Sequence, residues 1–147
     1  MTDAAVIPLL VIGAGPVGLA TGLAAKRAGL GCVLLDRGTV VSAIERYPLG
    51  MTFFSTPEKL EIGGVPFVTA TEKPSRREGL IYYRRVAEMF GLDVRVREEV
   101  TALLREADGT FTVPVRRPHD TISYRAANVV VATGWEDASS RYSSPMP

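Results

Sequence analysis

Leu9-Leu10-Val11-Ile12-Gly13-Ala14-Gly15-Pro16-Val17-Gly18 joins a short apolar run to a glycine turn, and the turn opens directly into Leu19-Ala20-Thr21-Gly22-Leu23-Ala24-Ala25-Lys26-Arg27. The first run is short enough for a buried parallel strand. Gly13 permits the tight turn out of that strand, Gly15 removes a side chain where a pyrophosphate approaches the backbone, and Gly18 allows close packing of the following helix. Pro16 suits the first turn of that helix, where its missing N–H costs nothing. Gly29 is the expected stop. The positive end of the helix faces the glycine turn and its free N–H groups suit an anion, while Lys26 and Arg27 sit at the negative end.

Cys32-Val33-Leu34-Leu35 reads as a second buried strand, and Asp36 ends it. Its carboxylate falls roughly twenty residues past the glycines, where an acid accepts hydrogen bonds from a ribose diol. A carboxylate there repels a 2′-phosphate and so argues against NADP at this site, an inference that Arg37 softens without reversing. Strand, glycine turn, helix, strand and terminal acid together predict a Rossmann-like α/β fold: a parallel sheet with helices on both faces.

Length and composition bound the rest. The 147 residues suffice for one domain with a real core, and 46% hydrophobic with 22% charged residues is the balance of a soluble globular chain. A formal net charge of +1 gives no electrostatic case for nucleic acid or a membrane surface. The uncharged stretch from Ala4 to Ala25 follows Asp3 instead of a basic residue and is interrupted by glycine and proline, so it reads as the glycine turn and not as a signal or span. A cytoplasmic location is expected. Cys32 is the single cysteine, which excludes an internal disulfide or CxxC pair in these residues, and its apolar strand makes it a small hydrophobe. His119, the single histidine, lies in a polar Arg-Arg-Pro-His-Asp loop, and no metal cluster can be assembled from it and Cys32.

Beyond Asp36, a short helix is expected over Val41–Arg46. The loop Tyr47 to Thr56 is rich in aromatic and hydroxyl residues; it suits either the lining of a flat ring system or the covering of a sheet edge. Leu60 to Phe67 reads as a short extended piece. Ser75 and Glu78 form a capping box for a helix to Phe90 with Gly91 as stop, its apolar stripe formed by Leu80, Tyr83, Ala87 and Phe90, with Arg84 and Arg85 on the solvated face. Leu92 to Val96 reads as the third parallel strand. A hairpin follows, Ala102–Glu106 and Phe111–Arg116 about an Asp108-Gly109 turn, with Pro114 marking an edge strand or bulge. Ile122–Arg125 completes an inserted three-stranded β-meander, and Asn128 to Gly134 returns to a buried strand. A nicotinamide-type domain continues with helical crossovers instead of a meander, so the organisation favours FAD over NAD at the Gly13 site.

Gly13-Ala14-Gly15-Pro16-Val17-Gly18-Leu19, with Arg46-Tyr47-Pro48, Met51-Thr52-Phe53-Phe54-Ser55-Thr56, Leu60-Glu61-Ile62-Gly63, Pro66-Phe67, Lys73-Pro74-Ser75-Arg76, Tyr82-Tyr83-Arg84 and Val131-Ala132-Thr133-Gly134, resembles the YpdA-type bacillithiol disulfide reductases, which are thioredoxin-reductase-like flavoproteins. The resemblance covers about Val6 to Gly134. It implies that Gly13, Ala14, Gly15, Pro16 and Gly18 cradle the FAD pyrophosphate and that Asp36 holds the adenosine ribose with Arg37 beside it. It further implies that Thr52 and Phe53 lie close to the flavin, that the Val100 backbone meets the adenine, and that Ala132, Thr133 and Gly134 pass near the cofactor. The implied activity is hydride transfer from NADPH to FAD, then reduction of a low-molecular-weight disulfide.

The family commonly places a cysteine where this chain has Val17. Its NADPH-binding domain and the closing segment of its FAD domain have no counterpart in these residues. The expectation is therefore an incomplete FAD-binding domain over residues 1–134 with a disordered tail over 135–147: the N-terminal part of an oxidoreductase, shortened by truncation, frameshift or splitting, with no catalytic residue of its own and not competent alone. FAD is the expected partner, with a companion chain carrying the NADPH domain, and a homo-oligomer is compatible with the sequence. The alternatives are a non-catalytic dinucleotide-binding remnant and an NAD-binding dehydrogenase domain.

Overall fold

The computed structural model describes residues 5–134. The expected tail over 135–147 lies outside the described residues. The elements in chain order are β1 (Val6–Ile12), α1 (Pro16–Arg27), β2 (Cys32–Asp36), α2 (Ser42–Glu45), α3 (Pro57–Leu60), α4 (Arg76–Met89), β3 (Asp93–Val96), β4 (Glu99–Val100), β5 (Leu104–Arg105), β6 (Phe111–Arg116) and β7 (Thr121–Val131). The strands form one mixed sheet in the order β3-β2-β1-β7-β6-β4, with β5 also on β6.

The parallel half follows from the apolar runs. β1 pairs with β2 from Leu9 opposite Cys32 to Ile12 opposite Leu35, β3 adds outside β2, and β7 adds on the other side of β1. Strand alternation then sorts the core into two layers. Leu9, Val11 and Leu34 face α1 and α4, burying Leu19, Leu23, Leu80, Tyr83 and Val86. Leu10, Ile12, Val33 and Leu35 face the opposite way and pack against Val100, Val113, Val115 and Ala126. Each such fully buried aliphatic side chain contributes about 1.5–3 kcal/mol.

The sheet is Rossmann-like as expected, with one difference in its layers. Among the described residues the helices pack on one face, and the meander curls over the other. Val113 and Val115 of β6 supply the apolar cover that a second helical layer would give.

The helix ends match their sequence signals. Ser75 accepts the Glu78 N–H while the Glu78 carboxylate accepts the Ser75 N–H at 2.8 Å, closing both halves of the capping box. Gly29 and Gly91, at φ +70° and +56°, follow α1 and α4 in the left-handed region. Asp108-Gly109 turns the hairpin, with the Asp108 side chain accepting the Thr110 N–H at 2.9 Å.

Three local expectations are corrected. Ile122–Arg125 and the strand from Asn128 are one continuous strand, β7; its first half pairs antiparallel with β6 and its second half parallel with β1. No glycine or proline separates the halves, so nothing stops the extended backbone. Leu60–Phe67 is not a strand: Pro57 starts the single helical turn α3, and Gly63 and Gly64, at φ +59° and +69°, bend the chain after it. Pro114 lies at a bulge, as its sequence position suggests: Val100 pairs with Val115 and Leu104 with Thr112, so the three residues 101–103 stand opposite Val113 and Pro114. Its carbonyl accepts the Thr101 N–H at 3.0 Å, so its donor-less nitrogen faces the gap between β5 and β4, where the ladder needs no N–H. Arg84 is half-buried instead of solvated; it pairs with Glu45 at 3.3 Å and reaches the Val40 carbonyl, tying α4 to α2.

Candidate functional site

The parallel strands β1, β2 and β7 end along one side of the sheet, and their ends open into a cleft of about 1320 Å³. In open α/β sheets this is where ligands bind. Ile12 and Gly13, Leu35 and Asp36, and Val131 to Gly134 form its floor; Gly15 to Val17 form one wall.

The three motif glycines have different tasks. Gly13 has φ +110°, and a Cβ there would stand 2.3 Å from the Ala132 carbonyl oxygen. Gly18 would place a Cβ 1.9 Å from the Gly13 carbonyl oxygen, so the turn closes on the first helical turn itself. Gly15 is the opposite case: nothing stands within 4 Å of its missing Cβ, and it faces the cleft. Gly15 is also the N-cap of α1 and offers no side-chain acceptor, so the first N–H groups of the helix look into the cleft without a capping partner. That is an anion cradle.

Asp36 lines the cleft and at the same time holds the glycine turn. Its Oδ2 accepts the N–H of Ala14 at 2.9 Å, and its Oδ1 accepts the Gly38 N–H at 2.8 Å and the Ser42 hydroxyl at 3.3 Å. Ala14 itself is fully buried and Gly18 buried, so both shape the turn from behind the cleft surface. Pro16, Arg37, Phe53, Val100, Ala132, Thr133 and Gly134 are in the lining. Thr133 Oγ1 is buried and has no hydrogen-bond partner among the described residues. An orphaned hydroxyl and an uncapped helix start both fit a polar ligand in this cleft.

Thr52 is elsewhere. It is exposed, bridges to Ser75, and is absent from the lining, whereas its neighbour Phe53 is half-buried with its ring edge-to-face on Tyr47 at 6.2 Å. Of this loop, Tyr47 and Phe53 face the cleft, while Leu49 and Phe54 remain almost fully exposed.

Two side chains in the lining carry no such expectation from the sequence. Tyr83, read as helix stripe, is also cleft wall. Burial, with Tyr82 and Tyr47 adding to it, pushes its phenol up to about 12, and its hydroxyl donates to the Leu60 carbonyl at 2.8 Å. Glu98 is buried beneath the meander, accepting from the Tyr124 hydroxyl at 2.8 Å and pairing with Arg117 at 3.1 Å. Its N–H donates to the Asp36 carbonyl, and the N–H of Arg97, a residue at φ +56°, donates to that of Gly38. These two bonds clamp the turn before Val100 onto the Asp36 loop. An acid followed by a second acid reads as surface, so only the fold reveals Glu98.

Cys32 is half-buried on β2 and outside the lining; burial, and then the Asp93 carboxylate, push its thiol up, away from the reactive thiolate. His119 is exposed. Among the described residues no group of three or more His, Cys, Asp or Glu converges on a metal position, and no helix is long and apolar enough to cross a membrane.

Comparison with known proteins agrees with this geometry. A family model described as pyridine nucleotide-disulphide oxidoreductase matches residues 10–145. The bacilliredoxin reductase Bdr of Bacillus subtilis (strain 168) is 36% identical over 128 residues, covering 87% of this chain and 38% of that protein. The structure of the bacillithiol disulfide reductase Bdr (YpdA) from Bacillus cereus is 36% identical with a TM-score of 0.85, over 88% of this chain and 40% of that one. A flavin-containing monooxygenase from Stenotrophomonas maltophilia is 26% identical with a TM-score of 0.76, over 86% of this chain and 38% of that one. The chain thus spans about two fifths of the length of these relatives.

Proposed function

The chain belongs to the pyridine nucleotide-disulphide oxidoreductase family, and from that premise we propose that its cleft binds FAD as the FAD-binding portion of a disulfide reductase of the Bdr (YpdA) type. The observation that carries the reading is Gly15: an empty Cβ position at an uncapped helix N-terminus, facing a cleft at the ends of parallel strands.

Gly13, Ala14, Gly15, Pro16 and Gly18 would hold the pyrophosphate, chiefly through backbone N–H groups and the dipole of α1. Asp36 would accept from the adenosine ribose, with Arg37 beside it and the Val100 backbone at the adenine. Phe53 would flank the flavin, with Thr52 supporting the loop. Ala132, Thr133 and Gly134 would close over the cofactor, the Thr133 hydroxyl gaining the partner it lacks. FAD supplies, when bound, the capacity to take a hydride from a reduced nicotinamide and pass it to an acceptor.

The similarity to the bacillithiol disulfide reductase of Bacillus cereus supports a low-molecular-weight disulfide as acceptor, and NADPH is the donor we propose with it. The donor site would lie on a portion outside these residues, in the same chain or a companion. On this reading the protein would act in the cytoplasm. Val17 lines the cleft 68% exposed, at the position where the family commonly has cysteine, so a thiol relay through that position is not available here.

Isothermal titration with FAD, FMN and NAD tests the assignment. FAD binding well ahead of both competitors is expected. A preference for NAD would overturn the flavin reading in favour of a dehydrogenase-type domain, and no binding by any of the three would leave a non-binding remnant.

A further inference from the structure

We propose that Gly79 is a positioning residue: its missing side chain sets where the Phe53 ring stands in the cleft. The inference rests on the reading above, in which that ring flanks the flavin.

Gly79 occupies the interior of α4, where glycine weakens a helix relative to alanine. Its backbone does not need glycine, since it is not among the positive-φ residues. What the position does need is space. A Cβ built on Gly79 would stand 2.7 Å from Phe53 Cε2 and 2.9 Å from Cζ. Restoring ordinary contact requires the ring to move by about 1 Å.

The backbone of Phe53 cannot supply that movement. Its N–H donates to the Pro74 carbonyl at 2.8 Å, the Arg76 N–H donates to the Met51 carbonyl at 2.9 Å, and Thr52 bridges Ser75. Three successive residues of the loop are thus laced to the start of the same helix that carries Gly79, so helix and loop move together. Tyr47 stands edge-to-face on the ring. The open side of the ring is the cleft, and a methyl group at position 79 therefore drives the ring into the space proposed for the flavin. Glycine at this position trades helix stability for the placement of one ring.

A double-variant cycle reads this directly. Gly79→Ala, Phe53→Leu and the double variant are each compared with the parent by thermal melting without ligand, by FAD dissociation constant, and by the visible circular dichroism of bound flavin. With the ring present, Gly79→Ala is expected to raise the FAD dissociation constant about tenfold or more and to alter the flavin dichroism, because the displaced ring takes up space the flavin would fill. In the Phe53→Leu background the same change is expected to raise Tm by about 3 °C, since only the helix gain remains. Equal Tm gains in both backgrounds, with FAD binding unchanged, would overturn the proposal. If the parent binds no FAD, the flavin reading fails by itself, and the melting cycle still decides whether Gly79 and Phe53 are coupled: additive effects overturn the proposal.

Discussion

Gly15→Ala separates binding from folding, because the added methyl meets nothing in the protein and everything in the proposed ligand. Gly15 sits at φ −76° and ψ −176°, extended backbone that alanine adopts without strain. No heavy atom lies within 4 Å of the new Cβ. Two small terms remain in the free protein. Restricting the unfolded chain stabilises by about 0.4–1 kcal/mol. Alanine is a poorer N-cap than glycine, which costs a similar amount, roughly 0.5–1 kcal/mol. The terms oppose each other, so Tm should stay within about 2 °C of the parent.

Binding has no such compensation. The methyl group occupies the approach of the pyrophosphate to the helix N–H groups and removes at least one charge-assisted hydrogen bond, worth about 1.5–3 kcal/mol. FAD affinity should fall roughly 10- to 100-fold. Differential scanning fluorimetry of the free protein and titration calorimetry with FAD measure both sides. An unchanged dissociation constant would refute the placement of the pyrophosphate at Gly15. A Tm drop beyond 5 °C would refute the claim that its Cβ position is empty.

Gly18→Ala should do the reverse, since its Cβ would stand 1.9 Å from a backbone oxygen that cannot yield: little soluble folded protein, or a Tm lower by 10 °C or more, is the expected melting result. Asp36→Ala leaves the buried Ala14 N–H without its acceptor and should cost about 1–3 kcal/mol by urea denaturation, apart from any loss of FAD affinity. Ser75→Ala removes the acceptor for the Glu78 N–H and should lower stability by about 1 kcal/mol in the same assay. Tyr83 gives an alkaline signature. Its phenol is raised to about 12 from an ordinary 10, so the neutral form is favoured in the folded state. Its contribution is intact below pH 10, and is lost as pH rises from 10 to 12, by about 2.7 kcal/mol in total. Tyr83→Phe should flatten that fall.

What the sequence made legible was set by backbone demands. Gly13 and Gly18 are fixed because a Cβ there would stand within 2.5 Å of a backbone oxygen, and Ser75 with Glu78 by reciprocal hydrogen bonds; each leaves a residue type at a fixed offset. Long-range packing leaves no such mark. That Val113 and Val115 cover Leu10 and Leu35 in place of helices depends on the curl of the meander, which no local pattern encodes. β7 was divisible on paper because Ala126-Ala127 interrupts the hydrophobic alternation, yet alanine stops no strand. Pro57–Leu60 is too short for periodicity to register. Thr52 and Phe53 are adjacent, yet only Phe53 lines the cleft, and the lacing of their loop to Pro74–Arg76 selects which one faces inward. Tyr83 shows the same limit from the other side: one residue serves as core on a helix stripe and as cleft wall.

The visible absorption spectrum of the purified chain, before and after incubation with FAD and removal of the excess, is the most direct test that this cleft is a flavin site. A retained flavin band, shifted from that of the free cofactor and weakened by Gly15→Ala, is the predicted result. A colourless protein, correctly folded by circular dichroism, that leaves the FAD spectrum unchanged would contradict it.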